Sequence, residues 1–284
     1  SLSGYAFYNC TSLWKITIPE NVAKIGWGIV SYCDALASIV VAEQNPTFDS
    51  RDNCNSIIET ATNTIVTTCT QSVIPNSVTN IGDGAFYKTG YYNNSSNWQN
   101  NVLYIGNHLI KAKETLSGNY IIKSGTKTIA ASAFRNCNSL ATITIPDSVI
   151  RICYFGGCTN LTSIIVDSNN EKYVSIDGVL FNKTKTELIQ YPIGKVKTSY
   201  VVPDSVTSIG GSAFYNCTRL TSVTIPDSVT TIGNYAFYNC TGLASVTIGN
   251  SVTRIGKEAF FGCTNLASVT ISDSVTHIGD YAFY

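Results

Sequence analysis

The stretch Leu220–Cys240, LTSVTIPDSVTTIGNYAFYNC, recurs along the chain and decides how the rest is read. Leu220, Val223 and Ile225 are apolar, with Ser222 and Thr224 between them. Residues 222–225 alternate with period two, which predicts a short strand with one buried face. Pro226 has no amide to give a ladder and ends that strand. Asp227 and Ser228 supply turn chemistry. Val229 and Ile232 form a second short extended piece, closed by Gly233. Ala236, Phe237 and Cys240 fit a single helical or 3₁₀ turn that sends three side chains inward.

Working outward, Cys217, Cys240 and Cys263 are 23 residues apart, as are Phe214, Phe237, Phe260 and Phe283. Earlier copies surround Leu13–Pro19, Leu36–Val41, Leu140–Pro146 and Leu161–Val166. The copy at Ile152–Cys158 is shortened, with Phe155-Gly156-Gly157 in place of Ala-Phe-Tyr-Asn. One unit buries roughly seven apolar side chains, on the order of 10–20 kcal/mol gross. Ordering its backbone costs about 1–2 kcal/mol per residue. A lone unit therefore cannot fold, whereas stacked units share walls and can. Strands about 4.8 Å apart would make ten or so coils a rod on the order of 50 Å long.

The unit resembles the BspA-like (Treponema pallidum-type) leucine-rich repeat, whose consensus is Leu-x-x-Ile-x-Ile-Pro-x-x-Val-x-x-Ile-Gly-x-x-Ala-Phe-x-x-Cys. Leu220–Cys240 matches every specified position except that Val223 stands for Ile. The resemblance implies a leucine-rich repeat solenoid, right-handed and mainly parallel β with short helical or 3₁₀ turns, as a horseshoe or rod. It further implies a surface or secreted protein of host-associated bacteria or parasitic protists that binds host or neighbour-cell proteins.

Composition narrows the function. The 284 residues hold 18 Lys+Arg and 18 Asp+Glu, a net charge of zero, so there is no bulk attraction to nucleic acid or an anionic membrane. Apolar residues make up 44%, enough for a core. No apolar run is long enough to span a bilayer, and the N-terminus lacks the basic-then-apolar pattern of a signal peptide. The sequence has no Met, which suggests a piece of a longer protein, truncated at both ends of a single solenoid domain over 1–284. The last coil is then expected to be the most frayed, or covered by another molecule.

Three stretches break the period, at 42–72, 88–128 and 167–202, and resemble the islands that the same family inserts between repeats. Each is expected to hold a hairpin: Ile57-Ile58 with Ile65-Val66, Val102–Ile105 with His108–Ile110 around Gly106-Asn107, and Ser175–Phe181 with Glu187–Tyr191. On the outward sheet face, Thr17, Thr144, Thr224, Thr247 and Thr270 form a hydroxylated column in which Val40 and Ile165 are apolar. Both precede an island, so each island is expected to fold back and cover that residue.

The reactive residues point away from catalysis, and no catalytic, metal or cofactor site is assigned. Seven of the ten cysteines (Cys10, Cys33, Cys137, Cys158, Cys217, Cys240 and Cys263) share one repeat position. Side chains in such a column point the same way, which suits buried thiols better than disulfides. Cys54 and Cys69 would face each other if Ile58 pairs with Ile65, so they are either bridged or free thiols. Cys153 has no evident partner. No CxxC occurs, and His108 and His277 lie far apart in the solenoid, which supports neither zinc nor Cys-His chemistry. No GxGxxG, Walker or GxSxG motif is present. Asp147, Asp204, Asp227 and Asp273 follow strands and read as turn caps. Asn-x-Ser/Thr sequons at Asn9, Asn94, Asn160, Asn182, Asn216 and Asn239 mostly fall on repeat positions.

Three candidate surfaces remain. Lysines concentrate in the islands, where Lys111, Lys113, Lys183 and Lys185 either keep hairpins solvated or dock an acidic partner or glycan. Ser222, Thr224, Ser245 and Thr247 belong to a flat hydroxyl face. Tyr215 and Tyr238 belong to an aromatic column with Tyr8, Tyr87, Phe261 and Tyr284. The expected function is adhesin-like recognition of a protein or glycan on another cell or matrix, without nucleic acid or membrane insertion. A spacer arm presenting another domain is the alternative.

Overall fold

The computed structural model describes residues 1–152 and 154–284, so Cys153 lies outside the described residues. One solenoid domain was the expectation. The described residues group into two compact units, one formed by Ser1–Lys113 with Thr126–Ala133 and a short piece at Arg151, the other mainly by residues 134–150 and 154–284 with Glu114–Gly125.

In the second unit the 23-residue period becomes a β-solenoid of stacked coils. The strands Ser199–Val201, Ser222–Thr224 and Ser245–Thr247 pair in parallel with no slip, Tyr200 beside Val223 beside Val246. A second parallel ladder joins Ser208–Ile209, Thr231–Ile232, Arg254–Ile255 and His277–Ile278. Between the ladders, Phe214, Phe237, Phe260 and Phe283 stack with ring centroids 4.6, 4.9 and 5.1 Å apart and planes within 9° of parallel. Val223, Ile225, Val229, Ile232 and Cys240 close around this pile and are buried. Identical side chains recur at the coil spacing, so each ring covers the face of the next.

The Ala-Phe-x-x-Cys segment is not the helical or 3₁₀ turn that its spacing suggests. It is a pair of tight turns with Tyr235 and Asn239 left-handed, at φ 60° and 55°. The amides of Ala236, Tyr238 and Cys240 donate within the coil, to Gly233, Tyr235 and Phe237. The alternate amides of Tyr235, Phe237 and Asn239 donate outward, to Lys257, Ala259 and Phe261 of the next coil. A 3₁₀ turn would keep all of these amides at home. Reversing φ at every fourth residue sends half of them to the neighbour and builds a third ladder.

The first unit repeats the scheme. Lys15–Ile18 pairs in parallel with Ser38–Val41, and the amide of Phe7 donates to the carbonyl of Ile29 at 2.8 Å.

Each island is a three-stranded antiparallel meander rather than a single hairpin. The strands are Phe48–Asp49, Ser56–Glu59 and Thr64–Thr68; Trp98–Gln99, Val102–Ile105 and His108–Ala112; and Tyr173–Ile176, Val179–Asn182 and Glu187–Gln190. In the third, Asp177 and Gly178 both take positive φ and close a two-residue turn. The last strand of each meander then pairs in parallel with the short strand of the following coil, at Asn80–Ile81, Thr128–Ile129 and Ser208–Ile209. An island therefore takes the place of a coil in the stack. Gly118–Ile121 and Ser199–Val201, inside stretches that break the period in sequence, are themselves coil strands, paired with Leu140–Ile145 and Ser222–Thr224.

Candidate functional site

The outward face of the parallel strands is where alternation leaves polar side chains. Val223 points into the core, so Ser222 and Thr224 point out. Register sets Ser199, Ser222 and Ser245 in one row and Val201, Thr224 and Thr247 in the next. Thr224, Ser245 and Thr247 are exposed and Ser222 is half-buried. These two rows carry no ionised side chain.

Val40 and Ile165 correct an expectation. They are 38% and 45% exposed, so the islands do not cover them. The island lies along the strand edge instead of over its face. The amide of Val166 donates to Ser175 Oγ at 3.1 Å and that of Ile164 to the carbonyl of Gly178 at 2.9 Å. The first island matches, with Val41 donating to Ser50 Oγ at 3.0 Å. Satisfying the edge amides is the stronger demand, because each unpaired one costs a hydrogen bond, whereas one half-exposed aliphatic costs little. Two further aliphatics stand in the same outward rows, Ile121 opposite Thr144 and Val201 opposite Thr224, and both are exposed. Sequence reading missed them because the strands that carry them lie inside period-breaking stretches.

The candidate lysines are divided between the units. Lys111 Nζ donates to the Ser132 carbonyl at 2.8 Å, and Lys113 Nζ stands 5.1 Å from the centre of the Trp98 ring. In the other unit, exposed Lys183 donates to the carbonyls of Ser168 and Asn170, while exposed Lys185 occupies a turn at φ 61°. Tyr215 and Tyr238 are half-buried and stack at 4.8 Å, and Phe261 and Tyr284 continue the column at 5.0 and 5.2 Å. These rings spend their faces on each other and present edges to solvent.

The cysteine column is internal from Cys33 onward, whereas Cys10, expected to be buried with the rest, is exposed on the first coil, which has no coil before it to cover that position. Cys33, Cys158, Cys240 and Cys263 each donate an S–H to the Phe carbonyl of the preceding coil, at 2.9–3.2 Å. Burial pushes the thiols of Cys33, Cys54, Cys69 and Cys217 up from their ordinary value, away from the reactive thiolate. Cys54 and Cys69 are both free thiols. A bulge between Ile57 and Ile58 moves the pairing to Ile57 opposite Thr67, so the two cysteines lose the alignment that Ile58–Ile65 alone would give. Asp227 Oδ1 accepts the amide of Asn250 in the next coil at 2.6 Å, a bond between coils rather than a cap on its own turn. Among the described residues, no three His, Cys, Asp or Glu side chains converge on a point, and no helix is long and apolar enough to cross a membrane.

A profile of the BspA type leucine rich repeat region matches in six copies, over residues 1–111, 79–198 and 194–284. Among solved structures, the chain is similar to a leucine rich cell surface protein of Faecalibacterium prausnitzii A2-165, with 25% identity and a TM-score of 0.55 over 99% of this chain and 73% of that one. It is also similar to a leucine-rich repeat protein from Eubacterium ventriosum ATCC 27560 (21%, 0.49, 97% and 74%). A third likeness is to the pneumococcal vaccine antigen PcpA (19%, 0.50, 94% and 66%), which speaks to the fold. No curated protein matches.

Proposed function

Since the chain belongs to the BspA type leucine-rich repeat family, we propose that it is a non-catalytic, adhesin-like recognition module of a cell-surface or secreted protein. Its partner is a protein or glycan of a host or neighbouring cell. The observation that carries this reading is the outward face of the second unit. Ser222, Thr224, Ser245 and Thr247 lie there in register, beside exposed Val201. Short hydroxyls give a level surface at little desolvation cost, and an exposed aliphatic next to it supplies an apolar anchor. The similar cell surface protein of Faecalibacterium prausnitzii supports the location. The lysines are a secondary contact, because Lys111 and Lys183 already spend donors on backbone carbonyls.

The test is capture of purified matrix proteins and whole cells by the immobilised chain. Thr224→Lys with Thr247→Lys places two charges on the face without touching the core. That pair should weaken capture at least about tenfold, roughly 1.4 kcal/mol. Lys183→Ala with Lys185→Ala should change it only a few-fold. Loss through the lysines alone would move the site to the islands. No capture by the wild-type chain would favour the spacer arm.

A further inference from the structure

The aromatic column behaves differently in the two units. In the second unit, stacked Tyr215, Tyr238, Phe261 and Tyr284 lie nearly parallel and cover one another's faces. In the first unit the middle coil breaks the column. Its turn reads Ile25-Gly26-Trp27-Gly28-Ile29-Val30-Ser31-Tyr32-Cys33 where a sister coil reads Ile232-Gly233-Asn234-Tyr235-Ala236-Phe237-Tyr238-Asn239-Cys240. Ser31 thus stands where the column needs a ring, between Tyr8 of one coil and Tyr87 of the next. It is fully buried and donates to the Tyr87 carbonyl at 3.0 Å.

The rings around this break meet edge to face. Tyr5 stands at 80° to Tyr8 and 73° to Trp27, and Tyr8 at 73° to Tyr32. Trp27 is tilted 40° over Tyr87, with centroids 4.5 Å apart. Trp27 is 40% exposed and Tyr8 51%, and Tyr5 and Tyr87 are exposed as well. The indole is held there by the backbone beneath it. A Cβ on Gly84 would come 2.0 Å from Trp27 Nε1, so only glycine admits the ring. Trp27 stands where sister coils carry Asn234 and Lys257, so this exposed ring is not required by the repeat and needs a reason beyond packing.

We propose that Tyr5, Tyr8, Trp27 and Tyr87 form a carbohydrate-binding platform for a neutral glycan. An edge-to-face contact covers a face of only one ring of the pair, so Tyr5 and Tyr8 keep ring face that a stacked column would cover. Trp27 and Tyr87, tilted 40° at 4.5 Å, each turn one face to the other and leave the opposite face. These faces complement the positively polarised C–H face of a pyranose, while phenol hydroxyls and the indole N–H can meet its rim hydroxyls. The same attraction already draws Lys88 Nζ to 5.4 Å from the Tyr92 ring and 6.0 Å from that of Tyr32. These four rings bear no charge, and Lys88, the cation next to Tyr87, already faces the Tyr32 and Tyr92 rings, so a neutral sugar is the occupant that fits. This platform lies in the first unit and does not depend on the hydroxyl face of the second.

The test titrates the full chain with cellohexaose, maltohexaose and chitohexaose, reading binding of every variant by calorimetry and, where Trp27 is present, by its indole N–H resonance. At least one sugar should give a saturable shift. Trp27→Ala should abolish binding, Tyr8→Leu should weaken it at least about tenfold, and Tyr8→Phe, which keeps the ring, should retain most of it. Tyr215→Ala should bind as the wild type does. A urea midpoint for each variant separates lost binding from lost folding. The proposal fails if no sugar shifts the resonance, or if Tyr8→Leu binds like Tyr8→Phe. It fails equally if only a protein ligand depends on Trp27. Loss of cell capture through Thr224 and Thr247 would leave it untouched.

Discussion

The thiol of Cys240 donates to the carbonyl oxygen of Phe214, 2.9 Å away and one coil back. The contact recurs along the column, so the cysteines act as inter-coil hydrogen-bond donors as well as small apolar side chains. This separates two substitutions. Cys240→Ala removes both the volume and the donor and should cost about 1–3 kcal/mol. Cys240→Ser keeps a donor aimed at the same carbonyl. It should cost less than alanine if the bond matters, and more if burial alone matters. Urea melts of the two variants decide the order.

Phe237 lies between Phe214 and Phe260, with ring planes 9° and 4° from parallel. Truncating it opens a cavity and strips a face from both neighbours, in a fold where each coil leans only on the next. Phe237→Ala should therefore cost about 3–5 kcal/mol, and Phe237→Leu less than half of that. Amide exchange should quicken at Ala213–Cys217 and Ala259–Cys263 together. Faster exchange confined to the mutated coil would show that the coils are stabilised independently.

Much of this fold is legible in the 23-residue period, because burial repeats wherever sequence repeats. Spacing alone places Phe214, Phe237 and Phe260 and the repeat cysteines from Cys33 onward in the core, but not Cys10 and Phe283, which sit on end coils and are exposed. It does not give the turn conformation. Ala236, Phe237 and Cys240 have a helical spacing, and what overrides it is the demand of Tyr235, Phe237 and Asn239 amides for partners in the next coil. The islands were half legible. The Asp177-Gly178 pair is a hairpin signal, but the apolar residues on both sides of it give the stretch the look of one continuous strand. For Val40 and Ile165, the sequence pattern pointed to an apolar position without showing that the neighbouring edge amides had the stronger claim on the island. Ser31, which breaks the tyrosine column between Tyr8 and Tyr87, is visible in sequence only by comparison with coils that keep the ring.

Asn170 ties the third island to the coil before it. Its Nδ2 donates to the carbonyls of Pro146 and Val149 at 2.9 and 3.0 Å, and its Oδ1 accepts the amides of Lys172 and Tyr173 at 2.9 and 2.8 Å. Asn45 makes the same four bonds in the first island, to Pro19, Val22, Thr47 and Phe48. Asn170→Leu would leave buried groups unpaired and should cost roughly 3 kcal/mol or more. Asn170→Asp keeps the acceptor but sets a carboxylate against two carbonyls, and should be no milder at neutral pH. If Asn170→Leu melts within about 0.5 kcal/mol of wild type, the amide is not the tie.

His108 is buried beside Thr128, with Nδ1 2.7 Å from Thr128 Oγ1. Loss of hydration, reinforced by the nearby Lys127 charge, lowers its pKa from the ordinary 6.5 to about 4. Between those values the unfolded chain binds a proton that the folded chain refuses, so stability rises with pH there. The contribution is complete above about pH 6.5 and is lost as the pH falls through about 4. A gap of that size corresponds to roughly 3 kcal/mol at its full extent. Urea midpoints at about pH 4.5 and pH 7.5 should therefore differ more for wild type than for His108→Gln, whose neutral amide can still reach Thr128. Equal pH dependence in the two proteins would mean that the folded chain takes up the proton as readily as the unfolded one, and that burial does not disfavour the imidazolium.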